Sequence, residues 1–335
     1  MTKILVTGAG GFIGGFMVEK GLELGMQVWA GVRRSTSREY LTDSRIAFID
    51  LPYADPDRLR EALLQHKAAH GKWDYIVHNL GLTKTTDPAN FDRINYGYLH
   101  NLVEALRATD MTPERFVLMS SLSALGPGDE EHYTPIRRDD PATPNTAYGR
   151  SKLRAEQYLQ GLTDFPWIIM RPTGVYGPRE RDYFLMVKSV KAGFDVGAGF
   201  RPQLITFIYV KDLVDCVYAA LERGVVRRSY IVSEGRAYSS KDFGRYVAHE
   251  LGKQFVISFN VPLWVLRGVS VVAERIGRLT HTSSTLNSDK YNIMKQRNWD
   301  CDITPLRDEL GFTPRYSLEE GVRETVGWYK EHGWI

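Results

Sequence analysis

The first half of the chain alternates short apolar runs with longer stretches of mixed polarity. Residues 4–7, 27–32, 45–49, 75–77, 116–120 and 167–170 are rich in β-branched and aromatic side chains and read as strands. Between them, residues 12–24, 57–66, 91–108 and 148–160 space their apolar positions at helical intervals. Strands that alternate with helices predict a parallel, doubly wound sheet with right-handed crossovers.

Pro172 and the run Gly174-Val175-Tyr176-Gly177-Pro178 break this rhythm. Beyond them helices dominate, at 182–192, 210–222, 240–251, 261–278 and 317–331, with strands at 205–209 and 229–232. Ser317 with Glu320 three residues on is a capping-box signature for the last helix. The expected organisation is a Rossmann-type α/β domain over residues 1–176, with 205–222 returning to it. Residues 177–204 and 223–335 form a smaller, mostly helical substrate domain. The apolar face of 261–278 (Leu263, Leu266, Val269, Val272, Ile276) is interrupted by Arg267, Glu274 and Arg275. It is too short and too charged to span a bilayer, so it reads as a core or interface helix.

Composition narrows the classes. At 43% hydrophobic residues over 335 positions a substantial core is feasible, and disorder is excluded. The formal charge is +3, and Arg33-Arg34 and Arg137-Arg138 are only pairs, which argues against nucleic acid. Cys216 and Cys301 have neither metal spacing nor a disulfide framework, and residues 1–6 read as a strand rather than a targeting segment. These features predict a cytoplasmic protein that takes a small-molecule substrate, with no metal, nucleic-acid or membrane partner.

Gly8-x-x-Gly11-x-x-Gly14 lies between the first strand and the first helix, the context a dinucleotide fingerprint requires. Gly8 suits the tight turn, Gly11 the approach of the pyrophosphate and Gly14 close helix–strand packing, with Phe12 and Ile13 opening the helix. The second strand runs out at Arg33-Arg34-Ser35, with no acid before Glu39. A guanidinium grips a 2′-phosphate and a carboxylate repels it, so Arg33 points to NADP(H) over NAD(H). Asp50 and Leu51 end the third strand, where an acid can meet the adenine amino group; Asn79-Leu80-Gly81 follows the fourth, on the ribose side.

Tyr148 and Lys152 stand at i and i+4, on one face of a helix. A phenol near pKa 10 is a poor base at neutral pH, and a nearby ammonium together with the positive nicotinamide ring favours the phenolate. Such a tyrosine can pass a proton to or from a carbinol oxygen while hydride moves. Ser121, with Ser120 and Ser123 beside it, ends the fifth strand at the same sheet edge and can donate to the reacting oxygen.

With these residues the chain resembles the extended short-chain dehydrogenase/reductase family, over nearly its whole length. The matching motifs are Thr7–Gly14, Asp50-Leu51, Asn95, Ser121, Tyr148/Lys152 and the Arg-Pro-x-x-Val-Tyr-Gly-Pro run from Arg171 to Pro178. The resemblance implies a catalytic Ser121, Tyr148 and Lys152, with Lys152 also on the nicotinamide ribose. It places Pro172 and Val175 near the nicotinamide amide, and it implies a homodimer through helices 91–108 and 148–160. Two departures narrow the reaction. Leu122-Ser123 stands where sugar-nucleotide dehydratases carry Asp-Glu, and Ile205 stands where sugar-nucleotide epimerases carry a pyrophosphate-binding arginine; Arg201 lies four residues earlier. The stretch Phe207-Ile208-Tyr209-Val210 is more similar to the 3β-hydroxysteroid dehydrogenase and dihydroflavonol reductase branch. The expected activity is interconversion of a secondary alcohol and its ketone. The rivals are a sugar-nucleotide epimerase with tightly held NAD and a non-catalytic, cofactor-sensing protein. Leu122, Tyr183, Phe184, Phe207 and Trp264 are candidates for the substrate pocket, although apolar residues of this size more often fill cores.

Overall fold

The computed structural model describes residues 1–280 and 287–335, and only the backbone of 277–280. In chain order the elements are β1 (Lys3–Thr7), α1 (Phe12–Glu23), β2 (Gln27–Gly31), β3 (Ala47–Ile49), α2 (Pro56–His70), β4 (Tyr75–His78) and α3 (Ala89–Phe91). A π-helical stretch, Asp92–Gly97, leads into α4 (Tyr98–Ala108); β5 (Arg115–Met119), α5 (Ala147–Gln160), β6 (Trp167–Pro172) and β7 (Gly174–Tyr176) follow. The second half contains α6 (Asp182–Lys191), β8 (Phe194–Ala198), β9 (Leu204–Tyr209), α7 (Val210–Arg223), β10 (Arg228–Val232) and β11 (Ala237–Ser239). It ends with α8 (Asp242–Glu250), β12 (Ile257–Val261), α9 (Leu263–Thr280), α10 (Ser288–Met294), α11 (Thr304–Leu310) and α12 (Leu318–Glu331).

Seven strands form one sheet in the order β10-β6-β5-β4-β1-β2-β3, every pair parallel. Both faces are covered, which is why the strands read as continuous apolar runs. Ile4 and Val6 point into one core with Met17 and Val18 of α1 and Leu213 and Val217 of α7. Leu5 points into the other, with Leu59 and Leu63 of α2, Leu102 and Leu106 of α4, and Leu159 of α5. Each fully buried leucine contributes about 1.5–3 kcal/mol. On the first face α1 sits close to α7, because a Cβ at Gly21 would stand 2.7 Å from the Tyr218 hydroxyl, which donates to the Met17 carbonyl at 2.6 Å.

The doubly wound parallel sheet is as expected, and the Ser317–Glu320 capping box is formed. The domain partition needs one correction. Arg228–Val232 falls in the span assigned to the substrate region, yet it is the outer strand of the main sheet, paired with β6. Outside that sheet lie the three-stranded β11-β9-β7 and the two-stranded β12-β8. The apolar face of residues 261–278 is not core, which leaves the interface alternative of the sequence reading. Val269, Val272 and Ile276 are exposed, while Ser270 is buried. No helix among the described residues is long and apolar enough to cross a membrane.

Candidate active site

The carboxyl ends of β1, β4, β5 and β6 lie side by side, so the loops that follow them converge. Gly8 has φ +65°, and a Cβ there would stand 2.8 Å from the Leu80 Cα and 3.0 Å from the Asn79 carbonyl carbon. The glycine loop therefore touches the Asn79-Leu80-Gly81 turn. Thr7 fixes the contact, with its hydroxyl oxygen accepting the Leu80 N–H at 3.1 Å. His78, 3.1 Å from the same oxygen, is fully buried; burial pushes its pKa down to about 3, so it is neutral. A Cβ at Gly14 would come within 2.2 Å of the Gly8 carbonyl oxygen, so α1 can start this close to β1 only with glycine there. Gly11 caps α1 and supplies no side chain, which leaves the first-turn amides at Phe12 and Ile13 to a ligand anion. This cradle fits the pyrophosphate of a dinucleotide.

Arg33 and Arg34 are exposed just past β2. The Arg34 N–H donates to the Asp50 carboxylate at 3.2 Å, so Asp50 braces the loop that carries Arg33. Leu51 is buried in the second core. Residues 36–37 close over Gly10, where a Cβ would meet the Thr36 methyl at 2.3 Å. Motif reading missed Arg179, whose guanidinium lies 4.4 Å from both the Phe16 and Tyr40 rings and 2.8 Å from Glu19. Its only local signal is a position just after Gly177-Pro178, and its φ is +73°. A cavity of about 390 Å³ lies between the glycine loop, Ser37–Leu41, Thr83-Lys84 and residues 179–182. It adjoins a second, of about 630 Å³, bordered by Phe184, Leu185, Lys188 and Trp334. Lys84 and Asp182 form an ion pair beside both.

Tyr148 and Lys152 lie on the first turns of α5, which Thr146 caps by accepting the Gly149 N–H at 2.9 Å. Ser121 lies just past β5, and its hydroxyl oxygen accepts the Ser123 N–H at 3.2 Å, leaving its own hydrogen to donate. Tyr148 is half-buried. Burial pushes its phenol up to about 12, against the lowering effect of Ser121. The Lys152 Nζ lies 5.9 Å from the Tyr148 ring centre and donates to the Met119 carbonyl at 2.8 Å. Lys152 is itself buried, which brings its pKa down to about 8 despite the raising influence of Glu156.

Lys152 also reaches the ribose-side turn, since a Cβ at Gly81 would stand 3.1 Å from its Nζ and 3.2 Å from the Asn95 Oδ1. Asn95 is buried in the π-helical stretch. It accepts the Leu82 N–H at 2.7 Å and donates to the Leu82 carbonyl at 3.0 Å and the Ser151 hydroxyl at 2.9 Å. It positions the turn and α5. Pro172 is buried at the end of β6, and Val175 is half-buried in β7. Beneath the site Glu156 and Arg171 pair in the core, and Ser120 also donates to Glu156. Ser120 is thus committed to a buried carboxylate, which leaves Ser121 as the strand-end hydroxyl free of that carboxylate. Among the pocket candidates, Leu122 and Phe207 are core, Tyr183 packs on Phe243, Phe184 borders the second cavity and Trp264 faces outward.

The sequence profile of the NAD dependent epimerase/dehydratase family matches residues 4–233. The chain belongs to that family. It is an enzyme of the extended short-chain dehydrogenase/reductase type. Ceramide reductase of Caulobacter vibrioides is 24% identical over 336 residues, spanning 99% of this chain and 96% of that protein. The UDP-glucose 4-epimerase of Thermotoga maritima, solved with UDP-glucose, superposes with a TM-score of 0.78 at 20% identity and covers 99% of both chains. The Thermus thermophilus UDP-glucose 4-epimerase in complex with NAD gives a TM-score of 0.77 at 20% identity, covering 98% of this chain and 99% of that one.

Proposed function

We infer that this family member is an NADP(H)-preferring oxidoreductase that interconverts a secondary alcohol and its ketone. The observation that carries the reading is an arrangement: Tyr148 and Lys152 share the first turns of α5, Ser121 ends β5 at the same carboxyl edge, and Lys152 reaches the turn at Gly81 that abuts the glycine loop. A phenol placed there is a proton donor, which suits ketone reduction. The bound dinucleotide supplies or accepts the hydride. Ser121 holds the substrate oxygen, Tyr148 delivers the proton to it, and Lys152 holds the ribose side next to Gly81 and Asn95. The site resembles a reductase more than its sugar-nucleotide relatives in what it lacks. Leu122 is buried apolar surface where a dehydratase acid would stand, and Ile205 is a half-buried strand residue paired with Tyr238. The ceramide reductase relative favours a lipid-like ketone.

Arg33 is proposed to hold the 2′-phosphate from its exposed place past β2, and the α4 and α5 faces to form a homodimer. A second reading, an epimerase that keeps NAD bound, is favoured by the family match and by the UDP-glucose epimerase relatives. Two measurements separate them. A reductase consumes added NADPH, whereas an epimerase purifies with dinucleotide and needs none. NADPH should bind more tightly than NADH, and Arg33→Asp should invert that order, because a like charge replaces a bidentate contact. Equal affinities in the wild type, unchanged in the variant, refute the NADP(H) preference.

A further inference from the structure

The two-stranded ribbon β12-β8 is built inside out. Its register sets Ile257 beside Phe194 and Phe259 beside Val196. Alternation puts these four apolar side chains on one face, and all four are exposed. The opposite face carries Asp195, which bonds Ser258 at 3.3 Å and abuts α8, where a Cβ at Gly244 would stand 2.5 Å from its carboxylate. The ribbon thus turns its polar side to the protein and its apolar side to solvent.

Helix α9, next in the chain, adds further exposed apolar residues. The chain passes directly from β12 through Pro262 into α9, and Leu263 packs against Gly199 just past β8. On α9, Trp264, Val272 and Ile276 recur at helical spacing and point outward, whereas Ser270 is buried and bonds back to the Leu266 carbonyl at 2.8 Å. Phe255, Phe200 and Trp264 are 77%, 72% and 78% exposed. Exposed apolar side chains gathered on successive elements in this way mark an interaction site.

Charge identifies the occupant. Among the described side chains, residues 251–276 carry Lys253, Arg267 and Arg275 against Glu274 alone; three minus one is +2. Arg267 and Arg275 are exposed, and the one acid is turned to Ser288, whose N–H it accepts at 3.3 Å. Lys191 and Arg201 flank the exposed Phe194 and Phe200. Apolar residues with aromatic margins and an arginine-rich rim are the pattern of a surface that lies in the interface of an anionic bilayer without crossing it. We propose that the ribbon β12-β8 and helix α9 form a docking face for the surface of an anionic phospholipid membrane. The apolar spacing over 261–278 reads as a core or interface helix with no membrane partner, and docking on lipid departs from that expectation.

Vesicle flotation tests this with the full-length protein. The probes are vesicles of phosphatidylcholine alone and of phosphatidylcholine mixed with phosphatidylglycerol. The wild type should float with the mixed vesicles and much less with the neutral ones. Trp264→Glu with Val272→Glu should lower partitioning about tenfold or more. Phe259→Ser, on the ribbon, should lower it without touching the helix. Arg267→Gln or Arg275→Gln should each lower it roughly fivefold. Thermal stability and NADPH affinity of these variants should match the wild type, since the residues are exposed and remote from the glycine loop. Absence of flotation with either vesicle overturns the proposal, as does flotation that the variants leave unchanged. A self-associated wild type that becomes monomeric in Trp264→Glu and does not float also overturns it, because a second copy then covers the face.

Discussion

Glu156 and Arg171 give the sharpest structural prediction. Glu156 is fully buried and Arg171 is 4% exposed. The guanidinium donates from Nε to both carboxylate oxygens at 3.1 Å and from a terminal nitrogen to Oε2 at 2.7 Å, while its other terminal nitrogen donates to the Arg138 carbonyl at 2.8 Å. Glu156→Gln keeps the shape, removes the charge and turns an amide donor toward a donor. An isolated guanidinium is then left in the core. Breaking a buried pair in this way costs about 3–5 kcal/mol. At roughly 2 °C per kcal/mol for a large domain, the unfolding temperature should fall by roughly 6–10 °C. The pair as such is not what stabilises the core, so Glu156→Leu with Arg171→Met should recover most of the loss. The same carboxylate raises the Lys152 pKa toward its value of about 8. The single variant should therefore also move the alkaline limb of its pH–rate profile to lower pH, which a purely structural loss does not do. Thermal unfolding and a pH profile check both points. A single variant within about 1 kcal/mol of wild type would falsify the assignment of an intact buried pair.

Two further predictions address the site and the second layer of strands. Ser121→Ala should cost roughly 2–4 kcal/mol of transition-state stabilisation, read as kcat/KM, and Ser123→Ala far less; a damaging Ser123→Ala with a silent Ser121→Ala refutes the placement. Glu234, whose Oε2 is buried without a partner and whose other oxygen accepts from Tyr238, has its pKa pushed from 4.5 up to about 7 by burial. The native state therefore holds a proton that the unfolded state releases between those values, so this group's contribution to stability falls as pH rises through about 7. Relative to wild type, Glu234→Gln should raise the unfolding temperature above pH 7, and the gain should vanish below pH 4.5; a difference independent of pH contradicts this.

The parallel sheet was legible because its strands are buried on both faces, so each reads as an unbroken apolar run with turn residues at its ends. The glycine loop and the Tyr148/Lys152 spacing were legible because their geometry is local. Contacts between distant segments were not. Arg179 reaches Phe16, Glu19 and Tyr40 from the other half of the chain, and nothing near it in sequence announces that reach. How far Tyr148 is buried, which raises its pKa, is a tertiary property that the local spacing to Lys152 does not carry. Arg228–Val232 reads as a strand but carries no sign of which sheet it joins. The ribbon β12-β8 was not legible as strands, and the apolar spacing of α9 left core and interface open because only the fold decides whether anything covers that face.

The central claim is that Tyr148 gives the proton to a ketone that takes hydride from NADPH. Deuteride transfer from labelled NADPH to a panel of lipid-like ketones, followed in wild type and Tyr148→Phe, tests it most directly. The account predicts deuterium on the carbinol carbon of the product, turnover at least about 100-fold lower in the variant, and NADPH affinity unchanged. Wild-type turnover in Tyr148→Phe, or a protein that keeps its dinucleotide and consumes none while inverting a sugar nucleotide, contradicts it.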